Sequence, residues 1–208
     1  MNSTILKDDK RRRARNRNQL DRKNAEPAAG NVTAFETRLR WMAIVYTDDE
    51  LQAIVFGQPT EWQAEDALVR VHRVPRHARN KLSTDELNYA PKWVRRLIGG
   101  LKRFAEGEPV DFSGVPIAQS HLTPFGRRVT AACRRIGWGN SSSYGELAAR
   151  CGATGAARAV GSVMAKNRFP LVVPCHRVLG AGGKLGGYSA PGGLNTKRQL
   201  LENEKSYV

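Results

Sequence analysis

The sequence predicts an α+β protein made of two units, and three patterns support this prediction. Apolar runs over 40–56 indicate a β-hairpin, and apolar residues at three- and four-residue spacing over 91–104 indicate an amphipathic helix. Short capped helices follow over 123–164. The segment 107–122, rich in glycine and proline, indicates a connector between the units. We therefore expect three parts: a basic tail over 1–30, an N-terminal unit over 31–118 and a C-terminal unit over 119–208.

The N-terminal unit begins with two β-rich runs, 40–46 and 51–56, joined by a short polar stretch. Runs of this kind predict two paired antiparallel strands. Thr60 followed by Gln63 has the spacing of a capping box, which predicts a helix after the hairpin. Pro91 can open the next helix because its fixed φ suits the first helical turn.

The C-terminal unit contains a pattern typical of a helix-turn-helix. Ser143 and Glu146 have capping-box spacing ahead of one short helix, and Thr154 can cap a second helix over 155–164. The second helix has mainly small side chains, with Arg158 as its long cation. Such a helix could approach a nucleic-acid groove closely, or it could be a small-residue helix packed tightly against its neighbour.

The composition favours a polyanionic partner. The formal net charge is +15 and the pI is about 10.4, and lysine and arginine release counterions when they contact phosphates. The basic, apolar-poor tail is either a solvated extension or an arm that steers DNA. Three cysteines fit a reducing compartment, and we expect an intracellular protein, cytoplasmic and associated with the nucleoid when bound to DNA, without membrane spans. His72 and His77 have no cysteine or carboxylate cluster at ligand spacing, so no metal site is expected.

A cysteine and a histidine stand side by side after a short apolar segment. Cys175 could be a nucleophile, but an unperturbed thiol is mostly protonated at neutral pH and needs a base. His176 could supply that base if a carboxylate orients its ring. If the segment is extended, the two side chains point to opposite faces, and a water would have to bridge them. The alternative is a buried thiol beside a satisfied histidine.

The string Pro174-Cys175-His176-Arg177-Val178 resembles the active-site signature of the O6-alkylguanine-DNA alkyltransferases, also called methylated-DNA–protein-cysteine methyltransferases. The likeness continues in the family's order and spacing through 123–125, 143–148, 157–161, Met164, Asn167, 187–189 and 197–204. The resemblance implies a ribonuclease H-like N-terminal domain and a winged helix-turn-helix-like C-terminal domain. It also implies direct reversal of DNA damage, in which an alkyl group moves irreversibly from O6 of guanine to Cys175. O4 of thymine is a further candidate site of attack.

The resemblance also implies a role for each matching residue. Cys175 would accept the alkyl group, His176 would draw off the thiol proton through a water, and Glu204 would hold His176. Asn167 would brace the turn, and Tyr144 would meet the flipped base. The implied DNA- and base-binding residues are Arg158 as a finger that fills the stack, with Ala157, Gly161, Met164, Val178, Tyr188, Ser189 and Arg177.

The implied partner is double-stranded DNA containing O6-alkylguanine, bound by a monomer without a cofactor. Three other classes stay open from the residues. A lesion sensor of the alkyltransferase-like type would usually carry tryptophan where Cys175 stands. A transcription regulator would need a further module, and a cysteine hydrolase would need an oxyanion hole and repeated turnover. Ala190 and Pro191 lengthen the loop after Ser189 relative to the shortest relatives, whereas Cys133 and Cys151 are expected to be packing residues.

Overall fold

The computed structural model describes residues 30–72, 79–81 and 86–205, and it is an α+β structure, as predicted. The expected tail lies outside the described residues except for Gly30. The strands are β1 Gly30–Phe35, β2 Trp41–Tyr46, β3 Leu51–Gln58, β4 Arg79–Lys81, β5 Ser142–Ser143 and β6 Val178–Leu179. The helices are α1 Glu61–His72, α2 Lys92–Ala105, α3 Pro124–Arg134, α4 Tyr144–Arg150, α5 Ala157–Ala165 and α6 Gly193–Lys205. Among the described residues, none of these helices has the length and apolarity to cross a bilayer.

The first half is a four-stranded sheet in the order β3-β2-β1-β4. The predicted hairpin is confirmed as the antiparallel pair β2–β3, and β1 pairs antiparallel with β2 and parallel with β4. Side chains alternate between the two faces of the sheet, as strand geometry requires. One face holds Ala43 and Val45 against Leu68 of α1, whereas the other holds Ile44 in the main core. The sheet therefore lies between the cluster that contains Leu68 and the main core.

The predicted start of α1 is confirmed, since Gln63 N donates to Thr60 Oγ1 at 3.2 Å. The helix after Pro91 is α2, which ends near Gly107, where φ is +93°. Its buried face carries Val94, Leu97, Leu101 and Phe104. Phe104 lies edge-on to Trp138 with ring centroids 5.3 Å apart. This helix therefore joins the sheet to the second half of the chain through one continuous core.

The second half has the predicted pair of short helices. Ser143 and Glu146 form the expected capping box at the start of α4. The prediction for Thr154 was wrong, because α5 begins only at Ala157 with Ala156 as its N-cap and no side-chain cap. Gly155, with φ +85°, forms the turn that Thr154 was expected to cap. The pair is nevertheless a compact helix–turn–helix arrangement, with α4 and α5 each packed against α3.

The segment before Cys175 is not the extended strand that the sequence suggested. Leu171 has φ +71°, which reverses the chain, and Val173 N donates to Phe169 O at 2.7 Å. A single 3₁₀ turn, Cys175–Arg177, follows. β6 comes next and pairs in parallel with β5, so that Ser143 lies opposite Leu179. The segment around Cys175 is therefore a compact turn. Because it is not extended, the expectation that Cys175 and His176 point to opposite faces does not apply.

Candidate active site

Cys175 begins the 3₁₀ turn and is 8% exposed. Asn167 donates from Nδ2 to Cys175 Sγ at 3.3 Å and to Val173 O at 2.9 Å. Its Oδ1 accepts the backbone N–H of Phe169 at 2.9 Å. One amide therefore ties both sides of the turn together and contacts the sulfur, which agrees with the expected bracing role of Asn167.

His176 and Glu204 form a pair that is closed off from solvent. His176 Nε2 lies 2.7 Å from Glu204 Oε1, and the two residues are 0% and 1% exposed. Arg177 donates to the same carboxylate from Nε at 3.1 and 3.0 Å and from Nη2 at 2.9 Å. Gly139 N adds a fourth donor at 3.3 Å. The structure therefore brings the predicted His176–Glu204 pair together and adds a buried cation to it.

The electrostatics of these groups are set by burial and by their partners. Burial raises the pKa of the Cys175 thiol, although the Asn167 amide and the Lys197 charge act in the opposite direction. Burial also lowers the pKa of His176, despite its bond to Glu204. Burial alone would raise the pKa of Glu204, but the hydrogen bonds from His176 and Arg177 outweigh it and hold that pKa below its ordinary value. At neutral pH the arrangement is a thiol, a neutral imidazole and a carboxylate.

These protonation states define what the site can do. A neutral imidazole that donates Nε2–H to a carboxylate keeps its lone pair on Nδ1. His176 Nδ1 is buried and has no hydrogen-bond partner among the described protein atoms. A ring nitrogen in this state can accept a proton, and Glu204 can stabilise the imidazolium that results.

The structure places Arg177, one of the predicted DNA contacts, inside the protein. It is only 6% exposed, and its guanidinium donates to Glu204 and to Ile136 O, the latter at 2.5 Å. A side chain held in this way orients the carboxylate. The sequence gives no direct signal for this, because arginine beside a reactive cysteine in a basic protein first suggests anion binding.

Lys197 is a residue of the site that the sequence interpretation did not single out. It is 0% exposed, and its Nζ donates to Val178 O at 2.7 Å. Burial lowers its pKa, whereas the neighbouring Cys175 raises it. The spacing of Lys197, Leu200 and Glu204 on α6 could have revealed it, since these three form the buried stripe of that helix.

A cavity of about 310 Å³ opens next to the sulfur. Asn167, Cys175, Tyr188 and Ser189 line it, as the resemblance implied for the last two. Further lining comes from residues of β3, α1 and the loop after Ser189, namely Ile54, Val55, Phe56, Gln58, Ala67, Arg70, Pro170, Ala190 and Pro191. The cavity is thus shared between the two halves of the chain.

Other predicted pocket residues lie elsewhere. Met164 and Val178 are 5% and 0% exposed and do not line this cavity. Tyr144 stands at the start of α4, and its ring lies close to two glycines. A methyl group added to Gly186 would lie 2.9 Å from the Tyr144 ring, and one added to Gly161 would lie 3.9 Å from it. Gly186 is therefore needed for the position of Tyr144, a requirement that the sequence interpretation missed.

The predicted recognition residues lie on α5. Arg158 is exposed, whereas Ala157 and Gly161 are half-buried. Ser162 Oγ donates to the backbone carbonyl of Arg158 at 3.1 Å, a bond within the helix. Among the residues that the structure describes, no three His, Cys, Asp or Glu side chains form a group that could hold a metal ion.

The site combines a buried cysteine with a histidine–glutamate pair, and a helix–turn–helix packs on the same core. These features are typical of proteins that combine a cysteine nucleophile with a surface suited to nucleic acid. The sequence model of the "6-O-methylguanine DNA methyltransferase, DNA binding domain" matches residues 124–206. A methylated-DNA–protein-cysteine methyltransferase of Mycobacterium tuberculosis is 55% identical over 84 residues, 40% of this chain and 50% of that protein. One from Methanothermobacter thermautotrophicus is 37% identical over 114 residues, 55% of this chain and 62% of that protein. The chain thus spans about half the length of the first of these curated relatives.

Solved structures extend the likeness to most of the chain. The crystal structure of M. tuberculosis OGT in complex with DNA has a TM-score of 0.65, at 31% identity over 85% of this chain and 93% of that one. An O6-methylguanine-DNA methyltransferase from Pyrococcus kodakaraensis shares the fold, with a TM-score of 0.60 at 23% identity over 83% of this chain and 98% of that one. The chain belongs to the O6-methylguanine-DNA methyltransferase family.

Proposed function

We propose that this protein repairs DNA by transferring an alkyl group from O6 of guanine to Cys175, once per molecule. The observation that carries the proposal is the Cys175 thiol, in contact with Asn167 at the wall of a cavity and beside the buried His176–Glu204 pair. The names of the relatives, methylated-DNA–protein-cysteine methyltransferases, support the same reaction.

The first step is formation of the thiolate. Burial holds the thiol protonated until a base removes the proton. We assign that role to His176 Nδ1, which is buried without a hydrogen-bond partner among the described protein atoms, acting through a bridging water. Asn167 Nδ2–H then stabilises the sulfur anion, as do the backbone N–H groups of Cys175 and His176 and the Lys197 ammonium. A hydrogen bond to a charged group contributes about 1.5–3 kcal/mol, so these donors can offset much of the cost of a buried anion.

The second step is an in-line displacement at the alkyl carbon. A sulfur–carbon bond forms, the carbon–O6 bond breaks, and its electron pair passes to the guanine ring. Tyr144 would donate a hydrogen bond to the leaving base, since burial raises the pKa of its hydroxyl and keeps it protonated. A thioether has no hydrolytic exit. The protein would therefore be consumed stoichiometrically and need no cofactor.

The base must leave the duplex to reach a sulfur that is 8% exposed. Arg158 extends from α5 and can occupy the gap left in the stack, while Ala157 and Gly161 let the helix approach the groove. In this proposal the helical half acts as a winged helix-turn-helix and the sheet half has a ribonuclease H-like arrangement. We further propose that the protein acts as a monomer on alkylated double-stranded DNA inside the cell.

The decisive experiment incubates the full chain with a duplex carrying [³H-methyl]-O6-methylguanine, followed by mass spectrometry of the tryptic peptides. One methyl group per chain, on Cys175, is the expected result, and Cys175→Ala should bind the duplex without acquiring label. Release of label with repeated turnover would indicate a hydrolase. Binding by the unchanged chain without transfer would indicate a lesion sensor, and either result would overturn the proposal.

A further inference from the structure

The solvent face of α2 carries five exposed cations, Lys92, Arg95, Arg96, Lys102 and Arg103, which together are called the α2 basic face. The helix contains no aspartate or glutamate in its 14 residues. Ordinary protein surfaces mix charges of both signs, and like charges three and four residues apart destabilise a helix. The charge distribution therefore needs an explanation beyond solubility.

Two further features of this face are unfavourable for an isolated helix. Lys92 and Arg95 lie in its first turn, where the helix dipole disfavours positive charge. Gly99 lies in the middle of the same face, exposed, and a methyl group built there would meet no atom within 4 Å. A glycine in an exposed helix interior weakens the helix without any packing benefit. Both features suit a surface that a polyanion approaches closely.

The carboxylates of the described residues neutralise little of this charge. Arg103 Nε lies 3.8 Å from Glu108 Oε2, a long ion pair at the exposed end of the helix. Within 30–72, 79–81 and 86–205, the side chains of Lys92, Arg95, Arg96 and Lys102 form no ion pair with a carboxylate. Other exposed cations of the same half do, since Arg38 pairs with Glu106 at 3.5 Å and Lys81 with Glu65 at 2.7 Å.

We propose that the α2 basic face binds the phosphate backbone of a DNA segment other than the one that contacts α5. The face runs from Lys92 to Arg103, about 16 Å along the helix axis at about 1.5 Å per residue. A DNA strand carries about five phosphates over that distance. Length and charge therefore match a short stretch of one strand.

The orientation of α2 explains why the segment is a separate one. The opposite face of α2 is buried, and Phe104 on that face has its ring centroid 6.2 Å from the imidazole of His176. The exposed face that carries the cations is therefore the side of α2 opposite to His176. A DNA segment bound there would increase the time that the protein stays on DNA. It would not compete with the damaged segment for the α5 surface.

The test compares two double variants of the full chain that lose the same charge. Arg95→Gln with Arg96→Gln removes two cations of the α2 basic face, whereas Arg38→Gln with Lys81→Gln removes two cations that already have carboxylate partners. Binding to an undamaged 30-base-pair duplex is measured by fluorescence anisotropy across a salt series, and thermal unfolding shows that both variants are folded. Undamaged DNA keeps the outcome independent of alkyl transfer.

For the first variant we expect the slope of log Kd against log salt to fall by about 2 and the affinity at about 0.1 M salt to fall at least 10-fold, because each phosphate contact contributes about 0.9 to the slope. The control variant should retain the slope of the unchanged protein. Titration with a 12-base-pair duplex at low salt measures the number of duplexes bound per chain. The unchanged protein should bind one more duplex than the first variant. Equal slopes in all three proteins, or an equal loss in both variants, would overturn the proposal.

Discussion

Replacement of Glu204 by glutamine changes one atom of the active site and alters two buried partners. The introduced amide has nearly the same shape, but it has no charge and it can donate a hydrogen bond to His176 Nε2, which lies 2.7 Å from the present carboxylate. A donor at that position favours the tautomer with its proton on Nδ1. The lone pair that would accept the thiol proton is then lost. We expect alkyl transfer by Glu204→Gln to be about 100- to 10,000-fold slower, the usual contribution of a general base.

The same change also removes the ionic partner of Arg177, which is 6% exposed. Breaking a buried ion pair costs about 3–5 kcal/mol. For a chain of this size, about 2–4 °C of Tm per kcal/mol gives a drop in Tm of about 6–20 °C.

The stability of the unchanged protein should also depend on pH. Because the pKa of Glu204 is held below its ordinary value, its bonds stabilise the fold above about pH 4.3, and that contribution is lost as pH falls through the lower folded value. Glu204→Gln should lack this loss.

The assay is single-turnover transfer from a radiolabelled O6-methylguanine duplex, at a temperature well below the Tm of the variant, together with urea unfolding at pH 7 and pH 4. Glu202→Gln is the matched control, since Glu202 is an exposed carboxylate on the same helix and should change neither quantity. A folded Glu204→Gln that transfers within threefold of the unchanged rate would refute the proton relay. Unchanged stability would refute the role assigned to the buried ion pair.

Three further substitutions test other parts of the site. Asn167→Ala removes the amide that lowers the pKa of Cys175, so transfer at pH 7 should slow about 10- to 100-fold, and the deficit should shrink at higher pH in a pH–rate profile. Gly186→Ala places a methyl group 2.9 Å from the Tyr144 ring and displaces that ring. Single-turnover transfer should slow about 10-fold with little change in Tm. An unchanged rate would show that Tyr144 takes no part in the reaction. Arg158→Ala should slow repair of a duplex more than dealkylation of free O6-benzylguanine, because only the duplex requires extrusion; equal slowing of both would remove the finger role.

Local sequence patterns predicted those elements that are stabilised by contacts between residues close together in the sequence. The capping box of Ser143 and Glu146 and the cap of Thr60 on Gln63 depend on residues three apart, and the structure shows both. The hairpin β2–β3 is formed by neighbouring runs. By contrast, β1 was not predicted although it pairs with the neighbouring β2, because Gly30 and Asn31 are poor strand formers and Gly30 was assigned to the tail.

The chemistry of the site was predictable where it depends on residue type and not where it depends on burial. Cys175, His176 and Glu204 were identified from the family signature, and the structure brings the last two into contact. The burial of Arg177 could not be deduced from a single sequence, because a buried cation is stable only through partners that come from distant segments. The 3₁₀ turn at Cys175 was also missed, since it depends on the positive φ of Leu171, which no local pattern indicates.

The short pair β5–β6 has a mechanical consequence. Ser143 caps the first helix of the helix–turn–helix, and its partner Leu179 stands four residues after the sulfur-bearing position. The pair therefore links the start of the helix–turn–helix directly to the segment that carries the sulfur. In the proposed function, a tilt of those helices on DNA would be transmitted through this link to the nucleophile, so that a poorly placed molecule would also react slowly.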